Sequence, residues 1–275
     1  MDQSKGFRRE RHMSNPRLRI ISLGAGVQST TLALMAAHGE IAPMPDCAVF
    51  ADTGWEPTAV YRHLAGLTRE LPFPVHVVSA GNLRADAIAQ TNTLGQRFAA
   101  VPWFTLSPAG HRGMGRRQCT NEYKLRPIQR KVVELLGGRR SCGGAEMWLG
   151  ISLDEAMRVK PSRVGYIVNR WPLVEQRLNR GDCMAWLQRH GYPVPVKSAC
   201  VGCPYRSNGE WRALTPAEFT DACEVDRAIR DQPGMRGRQY MHASRRPLAE
   251  ADLRTAGDRG QLNLFVNECE GLCGV

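Results

Sequence analysis

The 275-residue chain has no apolar run approaching the roughly 20 residues that a membrane span requires, so a membrane-spanning protein is not expected. Its opening residues, MDQSKGFRRERHMSNPRLR, are basic and lack the apolar stretch of a secretory signal. The expected compartment is therefore cytoplasmic. Internal repeats and low-complexity tracts are also missing. Cysteine, in contrast, is plentiful, with nine residues. A chain of this length buries a core without covalent staples, and cytosolic cysteines point to metal, cluster or sulfur chemistry. The net charge of +11 suggests a polyanionic partner, either nucleic acid or a phosphate-rich nucleotide. The arginines are spread along the chain, and runs such as Arg116-Arg117 also read as ordinary surface.

The pattern of elements is that of an α/β protein. Leu18 to Leu23 reads as a short buried strand stopped by Gly24 and Gly26, and Val27 to Ala37 as the helix that follows. Further strands are expected at Cys47–Ala51, Val75–Ser79 and Glu146–Ile151, with helices over 57–71 and 125–136. The alternation implies a doubly wound parallel sheet. Residues 90–117 are poorly periodic and read as a long loop near the site. The expected organisation is a basic arm over 1–17, a nucleotide-binding domain over 18–172, and a helical, cysteine-bearing region over 173–275. Capping boxes at Ser207/Glu210 and Thr215/Glu218 mark helix starts in that last region.

Ser22 to Thr31, SLGAGVQSTT, is a strand end running through glycines into a helix. Unpaired N–H groups and the helix dipole make such a junction an anion site. It is not a Walker loop, because no Gly-Lys-Ser/Thr follows, and it lacks the third glycine of the dinucleotide fingerprint. Asp52-Thr53-Gly54 falls just beyond the second strand, at the edge where open α/β sheets place ligands. These two segments, followed in order by RRQCTNEYKLRPI, WLGISLDEAMRVKPSR and SACVGCPY, resemble the ATP-pyrophosphatase (PP-loop) superfamily. The likeness is to its phosphoadenylyl-sulfate-reductase-like branch and runs from about residue 18 to 230.

That resemblance implies an adenine nucleotide alpha hydrolase-like fold. It implies that Ser22, Gly24, Gly26, Ser29 and Thr30 hold phosphate, that Asp52 and Thr53 lie near the adenosine, and that the segment from Gly150 to Arg163 meets phosphates or an activated intermediate. Leu23, Gln28 and Gly54 complete the expected nucleotide-binding set. Gln28 stands where many ATP-cleaving relatives carry Asp, so Mg2+ would need other ligands, such as the ATP phosphates or Asp52. Lys124 and Arg158 are expected to stabilise the leaving group.

Cys200-Val201-Gly202-Cys203 has the spacing used for zinc or iron–sulfur ligation. By resemblance, Cys119, Cys200 and Cys203 hold a 4Fe-4S cluster, with Cys273 or Cys269 from the tail NECEGLCGV as fourth ligand, or with one iron left open. Zn2+ on the same ligands is the alternative. Cys269 and Cys273 also read as catalytic nucleophiles, because the tail resembles the Glu-Cys-Gly ending of sulfonucleotide reductases. Cys47, Cys142, Cys183 and Cys223 read as structural thiols.

Three functions remain open. The leading expectation is an ATP-dependent sulfurtransferase that adenylates a nucleic acid, tRNA or DNA, and inserts sulfur with release of pyrophosphate. The second is a sulfonucleotide reductase served by a thioredoxin-like protein. The third is a nucleotide- or DNA-binding module with a structural metal site. The acceptor, the sulfur donor and the oligomeric state are not encoded in any motif.

Overall fold

The computed structural model describes residues 18–91, 101–138, 144–235 and 237–260. In chain order the elements are β1 (Leu18–Ser22), α1 (Val27–Ala37), β2 (Cys47–Asp52), α2 (Thr58–Glu70), β3 (Val75–Ser79), α3 (Leu83–Ala89), β4 (Phe104–Leu106) and β5 (Arg112–Met114). A π-helical turn, Thr120–Leu125, leads into α4 (Arg126–Leu135). There follow β6 (Ala145–Leu149), β7 (Ile167–Arg170), α5 (Pro172–Glu175), α6 (Arg180–Arg189), α7 (Asn208–Arg212), α8 (Pro216–Ala228) and β8 (Arg238–Tyr240). No described helix is long and apolar enough to cross a membrane.

The main sheet has the order β3-β2-β1-β6-β7, and every pairing in it is parallel. This is the doubly wound α/β arrangement expected from the alternation of strands and helices. Alternate residues feed two separate cores. Ile21, Ala48, Phe50 and Trp148 face α1, α2 and α6. Ile20, Cys47, Val49, Ala51, Ala145 and Met147 face Ile128 and Val132 of α4. A strand buried on both faces reads as a continuous apolar run, which is why β1 and β2 are visible in the sequence. Cys47 and Cys183 are buried in these cores as expected, and Cys142 lies outside the described residues.

A third core closes over the carboxyl edge of the sheet. Trp55, Leu83, Trp103, Tyr123, Val201, Trp211, Val225, Ile229, Met241 and Leu248 meet there. The stretch 90–117 departs from the single long loop expected. Its described part contains a β4–β5 hairpin, and β4 pairs on its other side with β8. Strands of three residues are too short to show a period, so the hairpin leaves no pattern to read. Both expected capping boxes form: Ser207 Oγ accepts from Glu210 N at 3.3 Å, and Thr215 Oγ1 from Glu218 N at 3.3 Å. A third, Asn179 with Asp182, opens α6.

His242, 7% exposed, ties α7 to the chain after β8. Its Nε2 meets the acceptor Asn208 Oδ1 at 3.0 Å, and its Nδ1 accepts from Ser244 N at 3.2 Å, so the neutral ring is the one held. Burial pushes its pKa below the ordinary imidazole range, as it does for His63. A group whose native pKa is depressed contributes stability above its unfolded pKa and loses it as the pH falls. The melting temperature is expected to drop between about pH 7 and pH 5. A His242→Gln variant should show a shallower slope in the same calorimetric series.

Candidate functional site

Strand order reverses at β1, which has β2 on one side and β6 on the other. Open α/β sheets bind ligands in the crevice at such a switch point, beyond the carboxyl ends of the strands. Two segments leave the sheet there: the loop after β1 and the segment after β6. Ala25 in the first adopts φ +55° although it is not glycine, and it is fully buried. A left-handed alanine costs about 1 kcal/mol. The turn aims the amides of Gly24 and Gly26 at one point, where both donate to Ser29 Oγ, at 3.2 and 3.3 Å. That hydroxyl occupies the place an anion's oxygen would take. Gly150 lies against the start of α1: a Cβ built on it would stand 2.8 Å from Ser29 N and Cα.

A cavity of about 300 Å³ opens between these segments. Ser22, Leu23, Gly24, Gly26, Gln28, Ser29, Thr53 and Gly150 line it, as do Lys124, Arg158, Cys119, Cys200 and Cys203. Other expected residues lie elsewhere. Thr30 is 1% exposed and bonds His63 Nε2 of α2 at 2.9 Å, because one step along a helix turns a side chain by 100°. Asp52 accepts from Tyr61 Oη at 2.7 Å and Gly54 N at 2.8 Å, outside the cavity lining. Gly54 and the exposed Arg163 do not line it either. Cys269 and Cys273 lie outside the described residues.

Gln28 is committed on every side. Its Nε2 donates to Ser152 Oγ at 3.3 Å and Glu155 Oε2 at 3.1 Å, and its Oε1 accepts from Arg180 Nη1 at 2.8 Å. The residue thus clamps the anion loop to the segment after β6 and to α6. Five cationic side chains line the cavity: Arg117, Lys124, Arg158, Arg180 and Lys197. The sequence reading singled out two of these. The others come from segments whose proximity no local pattern reveals. Glu155 is the carboxylate in the lining, held by Arg158 Nη1 at 2.5 Å.

The cysteine wall is rigidly built. Val201 N donates to Trp55 O at 2.8 Å, and the Arg206 guanidinium reaches the carbonyls of Ala199, Cys200 and Val201. Gly202 lies on the Trp55 indole, where an added Cβ would stand 2.0 Å from the ring. Beneath this loop sits Glu56, its side chain wholly buried. Its Oε1 accepts from Thr53 Oγ1 at 3.1 Å and Cys200 Sγ at 3.5 Å, and lies 3.4 Å from Lys124 Nζ. Its Oε2 is buried with no hydrogen-bond partner. Burial would lower the Lys124 pKa, but the Glu56 carboxylate holds it above its ordinary value. Burial, and then the Glu56 charge, push Cys200 up to about 12. Burial also raises Cys119, against the opposing pull of Arg117 and Lys124. Glu56 belongs to the same ADTGWEP segment as Thr53, so its nearness to the site was implicit in the sequence. Its contact with Cys200 was not.

The fold and the site together define a doubly wound α/β protein in which a glycine loop at a helix start and three thiols line one cavity. No family model matches the chain, and no curated protein matches it. Among solved structures, phosphoadenylyl-sulfate (PAPS) reductase from Candida auris, in its phosphate complex, is similar at 15% identity. The TM-score is 0.45, over 74% of this chain and 85% of that chain.

Proposed function

We propose that the chain binds an adenosine nucleotide on the loop from Ser22 to Ser29 and performs sulfur chemistry beside the cysteine wall, as a sulfonucleotide reductase. The observation that carries this reading is the sharing of one cavity by the anion loop, three thiols and five fixed cations. Gln28 is neutral and fully hydrogen-bonded, so the loop offers no carboxylate for Mg2+. Phosphate and sulfate charge would be met by arginine and lysine instead.

In this reading a tail thiolate, Cys269 or Cys273, attacks the sulfur of an adenylyl sulfate. The bond from sulfur to the phosphate oxygen breaks, and the nucleotide leaves with the electron pair. Lys124 and Arg158 stabilise the charge that develops on it. A thioredoxin-like dithiol then attacks the cysteine sulfur, which releases sulfite, and its own two thiols end as a disulfide.

Cys119, Cys200 and Cys203 would hold a 4Fe-4S cluster. The three sulfurs do not lie within 4.8 Å of one another. A tetrahedral zinc site, with bonds of about 2.3 Å, needs sulfurs about 3.8 Å apart. When bound, the cluster would tie the three thiolates into one rigid unit, and the cationic side chains of the lining would meet the sulfate charge. Anaerobically purified protein is expected to contain iron and acid-labile sulfide, and Cys119→Ser, Cys200→Ser or Cys203→Ser should each remove most of both. Stoichiometric zinc without sulfide would remove the cluster from the reading.

Glu155 favours a second reading. It lines the cavity 3.1 Å from Gln28 and offers Mg2+ a carboxylate beside the phosphates of ATP. With the net charge of +11, this fits ATP-dependent sulfur insertion into tRNA or DNA. One experiment separates the two. Sulfite released from phosphoadenylyl or adenylyl sulfate in the presence of a dithiol reductant is the expected result. Pyrophosphate released from ATP only when tRNA or DNA is added would overturn it in favour of sulfur insertion.

A further inference from the structure

Away from the cavity, the carboxyl ends of α1 and α6 converge. His38 is the C-terminal cap of α1 and His190 that of α6, and Glu40 follows His38 by two residues. A ring nitrogen of His38, a carboxylate oxygen of Glu40 and a ring nitrogen of His190 all lie within 4.8 Å of one another. Among the described residues no other three such ligands come this close. We propose that His38, Glu40 and His190 form a binding site for a divalent transition metal of the Zn2+ type, which clamps the end of α1 to the end of α6.

Each ligand is held by a neighbour in the manner metal ligands require. A carbonyl can only accept, so His190 Nδ1 carries its proton toward Trp186 O at 2.9 Å, and Nε2 keeps its lone pair. A ligating histidine is oriented in this way when its other nitrogen donates to a backbone carbonyl. His190 Nε2 stands 3.7 Å from Glu40 Oε1. Bonds of about 2.1 Å in a tetrahedral site would separate the two by about 3.4 Å, so little movement is needed. Glu40 is aimed by Trp186 Nε1, which donates to both carboxylate oxygens at 3.2 and 3.0 Å. The His38 ring is set by a 2.9 Å hydrogen bond between Nε2 and Tyr192 Oη. Trp186 stacks on His190 at 3.9 Å and meets His38 edge-on at 5.5 Å.

The electrostatics favour a cation as well. Helix carboxyl ends carry partial negative charge, and two of them meet here. Two imidazoles and one carboxylate form a ligand set that suits Zn2+, Ni2+ or Cu2+ better than Mg2+ or Ca2+. Three protein ligands leave a fourth position for water. α1 begins at the anion loop, so a metal at its far end would brace the helix that presents that loop.

Tag-free full-length protein titrated with Co2+ tests the site. The background is Cys119→Ser/Cys200→Ser/Cys203→Ser, so that the thiol wall does not compete. One Co2+ per chain is expected, with a visible d–d spectrum, no thiolate charge-transfer band and a raised melting temperature. His190→Ala should abolish the stoichiometric binding and the d–d spectrum, and its own melting temperature, whatever its metal-free value, should no longer rise when Co2+ is added. Glu40→Gln keeps an acceptor for Trp186 Nε1 while removing the anionic ligand, and is expected to weaken Co2+ binding at least tenfold. Should the triple-serine background fail to fold, the same bands are sought in the wild-type chain, where thiolate-bound Co2+ is distinguished by its charge-transfer absorption. Unchanged stoichiometry and melting shift in His190→Ala, or Co2+ bound only with thiolate bands, would overturn the proposal.

Discussion

Replacing Asp226 by alanine is expected to cost about 3–5 kcal/mol of stability, the loss typical when one partner of a buried ion pair is removed. Asp226 sits on α8 and is 2% exposed. Its Oδ1 accepts from Met241 N at 2.7 Å, and its Oδ2 accepts from Leu248 N at 3.0 Å and from Arg230 Nη2. Three elements are therefore pinned by one carboxylate: α8, the chain after β8, and the turn at Leu248. Alanine leaves two buried N–H groups without acceptors and one guanidinium, 14% exposed at its side chain, without a counter-charge. Stacking of Arg230 on Tyr240, at 4.2 Å, is too weak to compensate. For a chain of this size the loss corresponds to a fall in melting temperature of about 6–20 °C, read by circular dichroism. Adding Arg230→Met to Asp226→Ala should recover part of the loss, because the stranded charge is gone. A fall of less than about 3 °C in the single variant would show that the carboxylate is not what fastens the third core.

That third core also marks where sequence reading stops. β1, β2 and β6 are legible because a strand buried on both faces reads as a short apolar run, and the edge strand β3 because its three valines stand between Pro74 and Gly81. The loop after β1 is legible as a turn because Gly24 and Gly26 interrupt the apolar run just before the helix begins. Capping boxes are legible because both partners lie within four residues. The closure over the sheet edge has no such signature. β4, β5 and β8 are three residues each, and β4 pairs with β8 across more than 120 residues of chain.

Within the site, the same limit explains which residues were found. Thr53 and Ser29 line the cavity, whereas their neighbours Asp52 and Thr30 do not, because adjacent residues on a strand or helix point in different directions. A motif read as a string names both members of such a pair. Arg180 and Lys197 reach the cavity from the start of α6 and from the approach to the C-x-x-C loop, and neither stands in a recognisable pattern. Glu56 lies two residues beyond the Asp52-Thr53-Gly54 motif. Only the fold shows that its carboxylate is buried against Cys200 and Lys124.

Two glycines allow the halves of the site to be tested separately. At Gly150 an added Cβ would stand 2.8 Å from Ser29 N and Cα and 3.1 Å from the Gln28 carbonyl carbon. These are backbone atoms of the first turn of α1, which no rotamer change can move. Gly150→Ala is expected to push β6 and the anion loop apart and weaken nucleotide binding by at least about 100-fold, equivalent to about 2.7 kcal/mol. Overpacking should lower stability by only about 1–3 kcal/mol, so the variant should still fold. At Gly202 the added Cβ would meet the Trp55 ring, which cannot swing aside because its Nε1 donates to Asp221 at 2.6 Å and Asp221 is itself held by Arg84. Gly202→Ala should therefore displace the C-x-x-C loop, losing iron and sulfide while nucleotide binding persists. Titration of each variant with the nucleotide, beside metal analysis and a thermal melt, reads both halves at once. Nucleotide binding unimpaired in Gly150→Ala would mean that the loop after β1 is not where the phosphates sit, and the assignment of the cavity would fall with it.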